Sequence, residues 1–584
     1  MSEWWDDAVV YQVYLRSFAD ATADGVGDLP GLRSRLDYLA GLGVDALWLN
    51  PCYASPQRDH GYDISDYFAI DPAYGTVDDL ADVVNDAHAR GMRVVMDMVA
   101  NHCSDRHEWF QAAVASRPGS PERARFLFRD GRGPGGVLPP NNWQSVFGGP
   151  AWTRVVATDG SAGQWYLHSF DPGQPDFDWR NPEVVDYFER VLKFWFDLGI
   201  DGFRVDVAHG LIKDAALPDW PGADEGKGDH NYAMWDQPEV HGIYRGWRSI
   251  GEGYAPERKY FVGEIWVPSV DRLTRYLVDD ELHQAFSFDL LVQPWNAERF
   301  RGAIERTVAQ SAQTGTPAAW TLNNHDVHRS VTRYGQRQDL VDPSPSDMIA
   351  AARRIGEVSL QLGTLRARTA VLLLLALPGT VYLYQGEELG LPEVFDLPDD
   401  ARQDPIWLRS NGAELGRDGC RVPLPWSHDD PSFGFSPPGT APAPWLPQPS
   451  SFGELAVDMQ LDDPNSMLAL YQRAIAMRGA LFQASVGLRW HETGQHELLA
   501  FSRGDGTCVV NFGDRPLSLP QGWDLELVQA SGADSDRAQV PANSAAWFAG
   551  VPAGHGAKPG ETIEADRRLL ETATVYRSQS VREQ

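Results

Sequence analysis

Charged and polar residues fall in short clusters along this chain: Asp97 to His102, Arg204 with Asp206, Glu264, and His325 with Asp326. Each cluster closes an apolar run of strand length. Asp206, Glu264 and Asp326, with two histidines and an arginine, are the side chains of a polar reaction pocket if the fold brings them together. Arg204 stands two residues before Asp206, so on an extended strand both point to the same side. Its fixed positive charge can then keep Asp206 ionised and oriented. Any one of these residues alone reads more simply as a cap or an ion-pair partner; their repetition at successive strand ends favours a shared site. A second constellation is Asp20, Thr22, Asp24, Val26 and Asp28, which alternate as oxygen ligands around Gly25 and Gly27 like the first half of a calcium loop. The alternative there is a metal-free turn with solvated acids.

The elements that must position these residues alternate between strand and helix patterns, which predicts βαβ units and a parallel sheet. Strand candidates are Val9 to Phe18, Val44 to Leu49, Met92 to Val99, 200–208, 260–266, 285–291, 318–326 and 380–386. Between the first two, Leu29, Leu32, Leu36 and Leu39 recur at helical spacing, and Gly41 and Gly43 end the pattern. Thr76 and Asp79 form a capping-box pattern ahead of Leu80, Val83, Val84 and Ala87. Eight such strands predict a (β/α)8 barrel of the TIM type, in which strand C-termini converge on one face. From Cys103 to about Phe170 the periodicity dissolves into Pro, Gly, Trp and polar residues, too long for an ordinary βα loop. The expected division is a catalytic barrel at 1–102 and 171–482, a small domain inserted after strand 3 at 103–170, and a C-terminal antiparallel β-sandwich at 483–584.

A length of 584 residues exceeds what one core usually supports, and 43% hydrophobic with 22% charged residues is a globular composition. The formal net charge of −31 excludes a nucleic-acid or anionic-membrane partner, because phosphate binding needs clustered Lys and Arg. Cys52, Cys103, Cys420 and Cys508 form no CxxC pair and read as free buried thiols. The acidic N-terminus lacks the basic segment of a signal peptide, and the most apolar segment, around 370–383, is broken by Pro378 and Gly379. A cytoplasmic enzyme is the expectation; the sequence says nothing of oligomeric state.

The strand-end blocks resemble glycoside hydrolase family 13, the α-amylase superfamily. They read DMVANH at 97–102, QPDFD at 174–178, GFRVD at 202–206, GEIW at 263–266 and NNHD at 323–326, and PGTVYLYQGEELG at 378–390 is similar to the α-glucosidase branch. The resemblance implies a retaining mechanism with Asp206 as nucleophile, Glu264 as general acid/base and Asp326 as the third carboxylate, which binds sugar hydroxyls. It also implies that His102 and His325 donate to hydroxyls of the same glucose, and that Asp59, Tyr62, Phe170, Gln174 and Arg421 close the non-reducing-end subsite. Tyr62 on its own is more often a packing residue; the motif DHGYDISDY favours the sugar site. In that branch a similar loop after the first strand holds a structural Ca²⁺, with Asn where Thr22 stands, and Mg²⁺ is the alternative ion. No catalytic cofactor is implied.

The implied activity is exo-hydrolysis of short α-glucosides, since the insertion and the stretch 210–240 would wall off the pocket. Val207 and QPDFD resemble oligo-1,6-glucosidases. His209, by contrast, could donate to an aglycone hydroxyl, unless the backbone satisfies it, and GRDGCRVPLPW at 416–426 resembles maltose- and sucrose-acting enzymes. An α-1,4 preference is the expectation. The alternatives are an oligo-1,6-glucosidase, or a transglucosidase or isomerase in which a sugar hydroxyl intercepts the glucosyl-enzyme. Non-catalytic binding proteins also use this fold, but here all three carboxylates are present.

Overall fold

Eight short runs of β-branched and aromatic residues pair in parallel, in chain order: β1 Val9–Val13, β2 Ala46–Leu49, β3 Arg93–Met98, β4 Gly202–Val205, β5 Tyr260–Gly263, β6 Gln284–Ser287, β7 Ala319–Thr321 and β8 Thr380–Tyr384. The barrel closes where β8 pairs back with β1, Val9 opposite Val381. This computed structural model describes residues 3–156, 162–222, 230–341, 356–439, 443–483, 487–523, 525–532 and 538–552.

The two-residue period of a strand sorts side chains between two cores. On β2, Ala46 and Trp48 face the barrel interior with Val10, Val95, Tyr260, Val262, Phe286, Ala319 and Tyr382. Leu47 and Leu49 face the surrounding helices. The helices form where the sequence patterns place them. Val77–Ala89 starts at the Thr76–Asp79 capping box. Pro182–Leu198 starts at Asn181, whose side chain accepts from Glu183 N, and it buries Val184, Phe188, Val191, Leu192 and Trp195 along one stripe before Gly199 ends it at φ 115°. That helix delivers the chain to β4. Gly202 opens β4 because a Cβ there would lie 2.4 Å from the Tyr260 carbonyl oxygen on β5.

After β3 the chain leaves the barrel through helix Glu108–Ala115 and a three-stranded antiparallel sheet, with Ala162–Leu167 between Phe128–Arg129 and Trp152–Val156. The returning segment is laced to the barrel rim by bridges between His102 and Asp176 and between Phe126 and Phe177. The excursion therefore extends past residue 170, almost to the helix at Pro182. Helix Met467–Leu481 leads out of the barrel region, and a five-stranded antiparallel sheet follows, in the order Arg489–Trp490, Leu498–Arg503, Gly506–Asn511, Ser544–Ala549, Glu526–Ala530. One face rests on helix Leu360–Ala376, where Trp547 Nε1 donates to Leu372 O at 2.9 Å. The other covers Leu517, Leu525 and Val540 beside a two-stranded sheet. The end of the expected C-terminal domain, 553–584, lies outside the described residues. All four cysteines are free and buried. Among the described residues no helix is long and apolar enough to cross a membrane.

Candidate active site

Asp206 follows the last residue of β4 and Glu264 the last residue of β5, so the barrel carries both to its C-terminal rim. Arg204, inside β4, projects between them. Its Nη1 donates to Asp206 Oδ1 at 2.6 Å and to Asp97 Oδ1 at 2.8 Å, and its Nη2 donates to Glu264 Oε2 at 2.5 Å. One buried guanidinium thus holds three carboxylates. Burial pushes Asp206 well above the ordinary carboxylate range; Arg204 opposes this, and the charges of Glu264 and Asp97 reinforce it. Burial likewise pushes Asp97 up to about 6 against the pull of Arg204. Glu264 accepts from two further donors: Trp266 Nε1 at 3.0 Å on Oε1, and Val207 N at 3.1 Å on Oε2. The Trp266 ring is itself stacked on Phe288, with centroids 4.0 Å apart. Val207 makes its bond from a left-handed backbone, φ 43°, a conformation that typically costs a non-glycine residue about 1–3 kcal/mol. Glu264, beside Asp206, is therefore held in part by a strained peptide.

A second charged cluster lies across the rim. Arg417 donates to Asp59 Oδ1 at 2.8 Å, Asp326 Oδ1 at 2.9 Å and Asp404 Oδ2 at 2.7 Å. Arg421 donates to Asp326 Oδ1 at 3.1 Å and, through Nε, to His325 O at 2.8 Å. Burial would raise Asp326, but His325, Arg417 and Arg421 more than offset it and hold it well below the ordinary range. Because burial drives His325 itself neutral, the two guanidiniums carry that effect. Tyr62 joins the two clusters: its hydroxyl donates to Asp97 Oδ2 at 3.0 Å and lies 2.7 Å from His325 Nε2. Gln12 Nε2 lies 2.8 Å from His325 Nδ1 and closes the network from β1. Gln174 Nε2 donates to Asp59 Oδ2 at 3.0 Å, and His102 Nε2 lies 3.0 Å from Tyr62 O. The His102 ring sits 5.1 Å from that of Phe170.

Beside these groups lies an apolar collar of Phe147, Phe170, Val207 and Ile406, with Trp235 packed against it; Arg417 lies over the Phe147 ring at 5.0 Å. His209 makes no side-chain bond to the charged networks, but the Glu264 backbone carbonyl bears on its ring as a hydrogen-bond acceptor. It is buried with its ring 5.2 Å from Trp235, and its Nδ1 has no hydrogen-bond partner. The residues expected in the pocket are thus brought together, with three differences. Arg417, not Arg421, spans Asp59 and Asp326; the signal available was a second arginine four residues earlier in GRDGCR. Asp97 belongs to the central triad of acids, although its strand-end place and the block DMVANH gave it no role of its own. Asp404 and Lys213 carry no motif-level signal and emerge only from contacts, and Asn101 lies inside DMVANH without an expected role.

The loop at residues 20–28 sits apart, bonded to Ser436 and Trp445. Its carboxylates face the loop's own donors. Asp28 Oδ2 accepts from Ala21 N, Thr22 N and Thr22 Oγ1, its Oδ1 accepts from Gly31 N, and Asp20 accepts from Ala23 N and Gly25 N. Asp24 is exposed and bonds only Val26 N. Among the described residues no three His, Cys, Asp or Glu side chains converge on a point. In this arrangement Asp20 and Asp28, expected among the ligands of a cation, accept from backbone N–H groups.

Comparisons agree with this geometry. The family described as alpha amylase, catalytic domain, matches residues 12–484. Trehalose-6-phosphate hydrolase of Escherichia coli (strain K12) is 35% identical over 506 residues, covering 82% of this chain and 84% of its own. Oligo-1,6-glucosidase of Parageobacillus thermoglucosidasius is 34% identical over 515 residues, covering 81% and 83%. The crystal structure of the alpha-glucosyl transfer enzyme XgtA superposes with a TM-score of 0.80 at 34% identity, covering 94% of this chain and all of that one.

Proposed function

The chain belongs to the alpha-amylase family and is a glycoside hydrolase, and from that premise we propose that it is an exo-acting, retaining α-glucosidase that removes terminal α-glucosyl units from short oligosaccharides. The observation that carries the proposal is the pair Asp206 and Glu264 on the two Nη nitrogens of Arg204. Carboxylates held by one guanidinium are close neighbours, and a close pair suits double displacement through a covalent intermediate. Asp206 attacks the anomeric carbon while Glu264 gives its proton to the departing glycosidic oxygen. Glu264 then takes a proton from water, whose oxygen attacks the same carbon and releases Asp206. Asp326, held ionised by Arg417 and Arg421, binds hydroxyls of the glucose with Asp59, His102 and His325 around it, and stabilises the positive charge that develops on the ring.

The collar of Phe147, Phe170, Val207 and Ile406 supports action at a chain end, because apolar side chains packed beside the acids suit a closed pocket better than an open cleft. The unpartnered Nδ1 of His209, buried beside Val207 and Trp235, supports recognition of an aglycone hydroxyl and hence the α-1,4 preference over α-1,6. A neutral aglycone suits this mouth. The arginines around it are already paired: Arg58 with Asp105, Arg272 with Asp236, and Arg409 with Asp171 and the Gly148 carbonyl. A second reading is transglucosylation, favoured by the same collar, since apolar walls that exclude water leave a sugar hydroxyl as the better acceptor. Chromatography of products from maltose, isomaltose, sucrose and trehalose tests both. Glucose alone from maltose supports hydrolysis. Accumulation of longer or isomeric saccharides favours transfer, and release of large dextrins from soluble starch contradicts exo-action.

A further inference from the structure

We propose that Lys213 is a positioning residue that fixes the tautomer of His102 through the amide of Asn101, so that the imidazole carries its proton on Nε2, held by the Tyr62 carbonyl until a sugar hydroxyl takes its place as acceptor. The inference rests on the reading of His102 as a sugar contact. Its first half, the tautomer itself, follows from geometry alone.

Lys213 lies seven residues after Asp206 and is 1% exposed. Its Nζ donates to Asn101 Oδ1 at 2.6 Å, pairs with Asp176 Oδ2 at 3.0 Å and donates to the Gly210 carbonyl. Buried against the Asp176 carboxylate at 3.0 Å and the Gly210 carbonyl, the group is the ammonium, which has three N–H bonds and no lone pair to offer. The side-chain atom of Asn101 facing it must then be the oxygen. That leaves the Asn101 NH2 turned the other way, 3.0 Å from His102 Nδ1. An NH2 group donates, so Nδ1 must accept and carries no proton. Burial keeps the ring neutral, and its single proton therefore sits on Nε2, 3.0 Å from the Tyr62 carbonyl that can accept it.

The other tautomer has one point in its favour. Gln174 Nε2 lies 3.3 Å from His102 Nε2 and could donate to an unprotonated Nε2. Against it, a proton on Nδ1 would face the Asn101 NH2 at 3.0 Å, donor against donor, and the Tyr62 carbonyl would keep only the longer contact from Gln174 Nε2 at 3.4 Å. Gln174 is satisfied without that contact, since Oε1 accepts from Asp171 N at 2.9 Å and Nε2 donates to Asp59 at 3.0 Å. Two bonds outweigh one longer one. Lys213 also ties the loop after the nucleophile to Asp176 on the returning segment of the insertion, so that segment, β3 and β4 meet at one ammonium. A lysine at this point sets a proton on a ring it does not touch.

The test is the ring ¹⁵N spectrum of histidine-labelled enzyme without substrate, with the His102 signals assigned by their absence in His102→Gln. Wild-type enzyme is expected to show a protonated Nε2 and a bare Nδ1. In Asn101→Asp, which keeps an acceptor for Lys213 but presents only oxygen to the ring, Nδ1 becomes protonated. In Lys213→Met the Asn101 amide is free to turn and both tautomers appear. Kinetically, Asn101→Asp should lower kcat/KM for a nitrophenyl α-glucoside by about tenfold, the scale of one lost hydrogen bond to a hydroxyl, with most of the change in KM. A protonated Nδ1 in the wild-type enzyme, or an unchanged ring in Asn101→Asp, overturns the proposal whatever the variants' stability. The spectrum is read without substrate, so an Nε2–H ring in an enzyme that cleaves no α-glucoside would contradict the assigned reaction and leave the tautomer standing.

Discussion

Replacing Arg204 by lysine keeps one positive charge at the centre of the site and removes its fork. The guanidinium serves Asp97 and Asp206 through one nitrogen and Glu264 through the other, at 2.8, 2.6 and 2.5 Å. An ammonium is a single nitrogen on a flexible stem and cannot stand in both places. At least one charge-assisted hydrogen bond is lost, a contribution of about 1.5–3 kcal/mol. If that loss falls on the transition state, kcat/KM drops by about 10- to 150-fold. The pH profile gives an independent check. Asp206 must be ionised to attack, so activity disappears as pH falls through its pKa. Burial raises that pKa and Arg204 is the largest influence opposing burial, so weakening the arginine contact moves the acid limb to higher pH. Initial rates on a nitrophenyl α-glucoside across the acid and neutral range measure both effects, with circular dichroism to confirm the fold. A lysine variant with wild-type kcat/KM and an unmoved acid limb would refute the reasoning.

Asp97→Asn should act in the opposite direction on the acid limb: the Asp97 charge raises Asp206, so its removal extends activity to lower pH, and an upward shift would contradict the shared-arginine account. His209→Ala should cut kcat/KM for maltose by about tenfold, the scale of a lost hydrogen bond. A nitrophenyl α-glucoside, which has no aglycone hydroxyl, should be untouched, and equal losses on both would show a structural role. The loop at 20–28 has its carboxylates bonded to its own N–H groups, so the melting midpoint is expected to be the same in chelator and in millimolar calcium. A rise with calcium would show that the loop re-forms around the ion, because an ion bound only by the folded state stabilises it by mass action.

The barrel was legible because its signals are local. Each strand is a short apolar run and each helix an amphipathic one, and Thr76, Gly43 and Gly199 mark ends by chemistry that acts within a turn. The carboxylates were legible for a related reason: a barrel strand's C-terminus fixes where its next residue points, so Asp206 and Glu264 could be placed from position alone. What stayed hidden is cooperation between distant side chains. Asp404 and Asp326 share Arg417 only because the loop at 404–421 folds back over the rim, and nothing in the spacing of those residues specifies that loop's path. The extent of the insertion was hidden likewise, since the bridge between His102 and Asp176 joins residues that look like separate motifs. The calcium-like alternation at 20–28 supports two readings, because oxygen atoms at alternate positions suit backbone N–H groups as well as a cation.

The account's central claim is that Asp206 becomes covalently glucosylated while Glu264 serves the leaving group. Inactivation with a 5-fluoro-α-glucosyl fluoride slows the second displacement and leaves the sugar on the nucleophile, where peptide mass spectrometry can find it. The account predicts a single adduct on the peptide containing Asp206, absent from Asp206→Asn. An adduct on Asp97 or Asp326, or turnover of an α-glucoside that releases β-glucose first with no adduct at all, would contradict it.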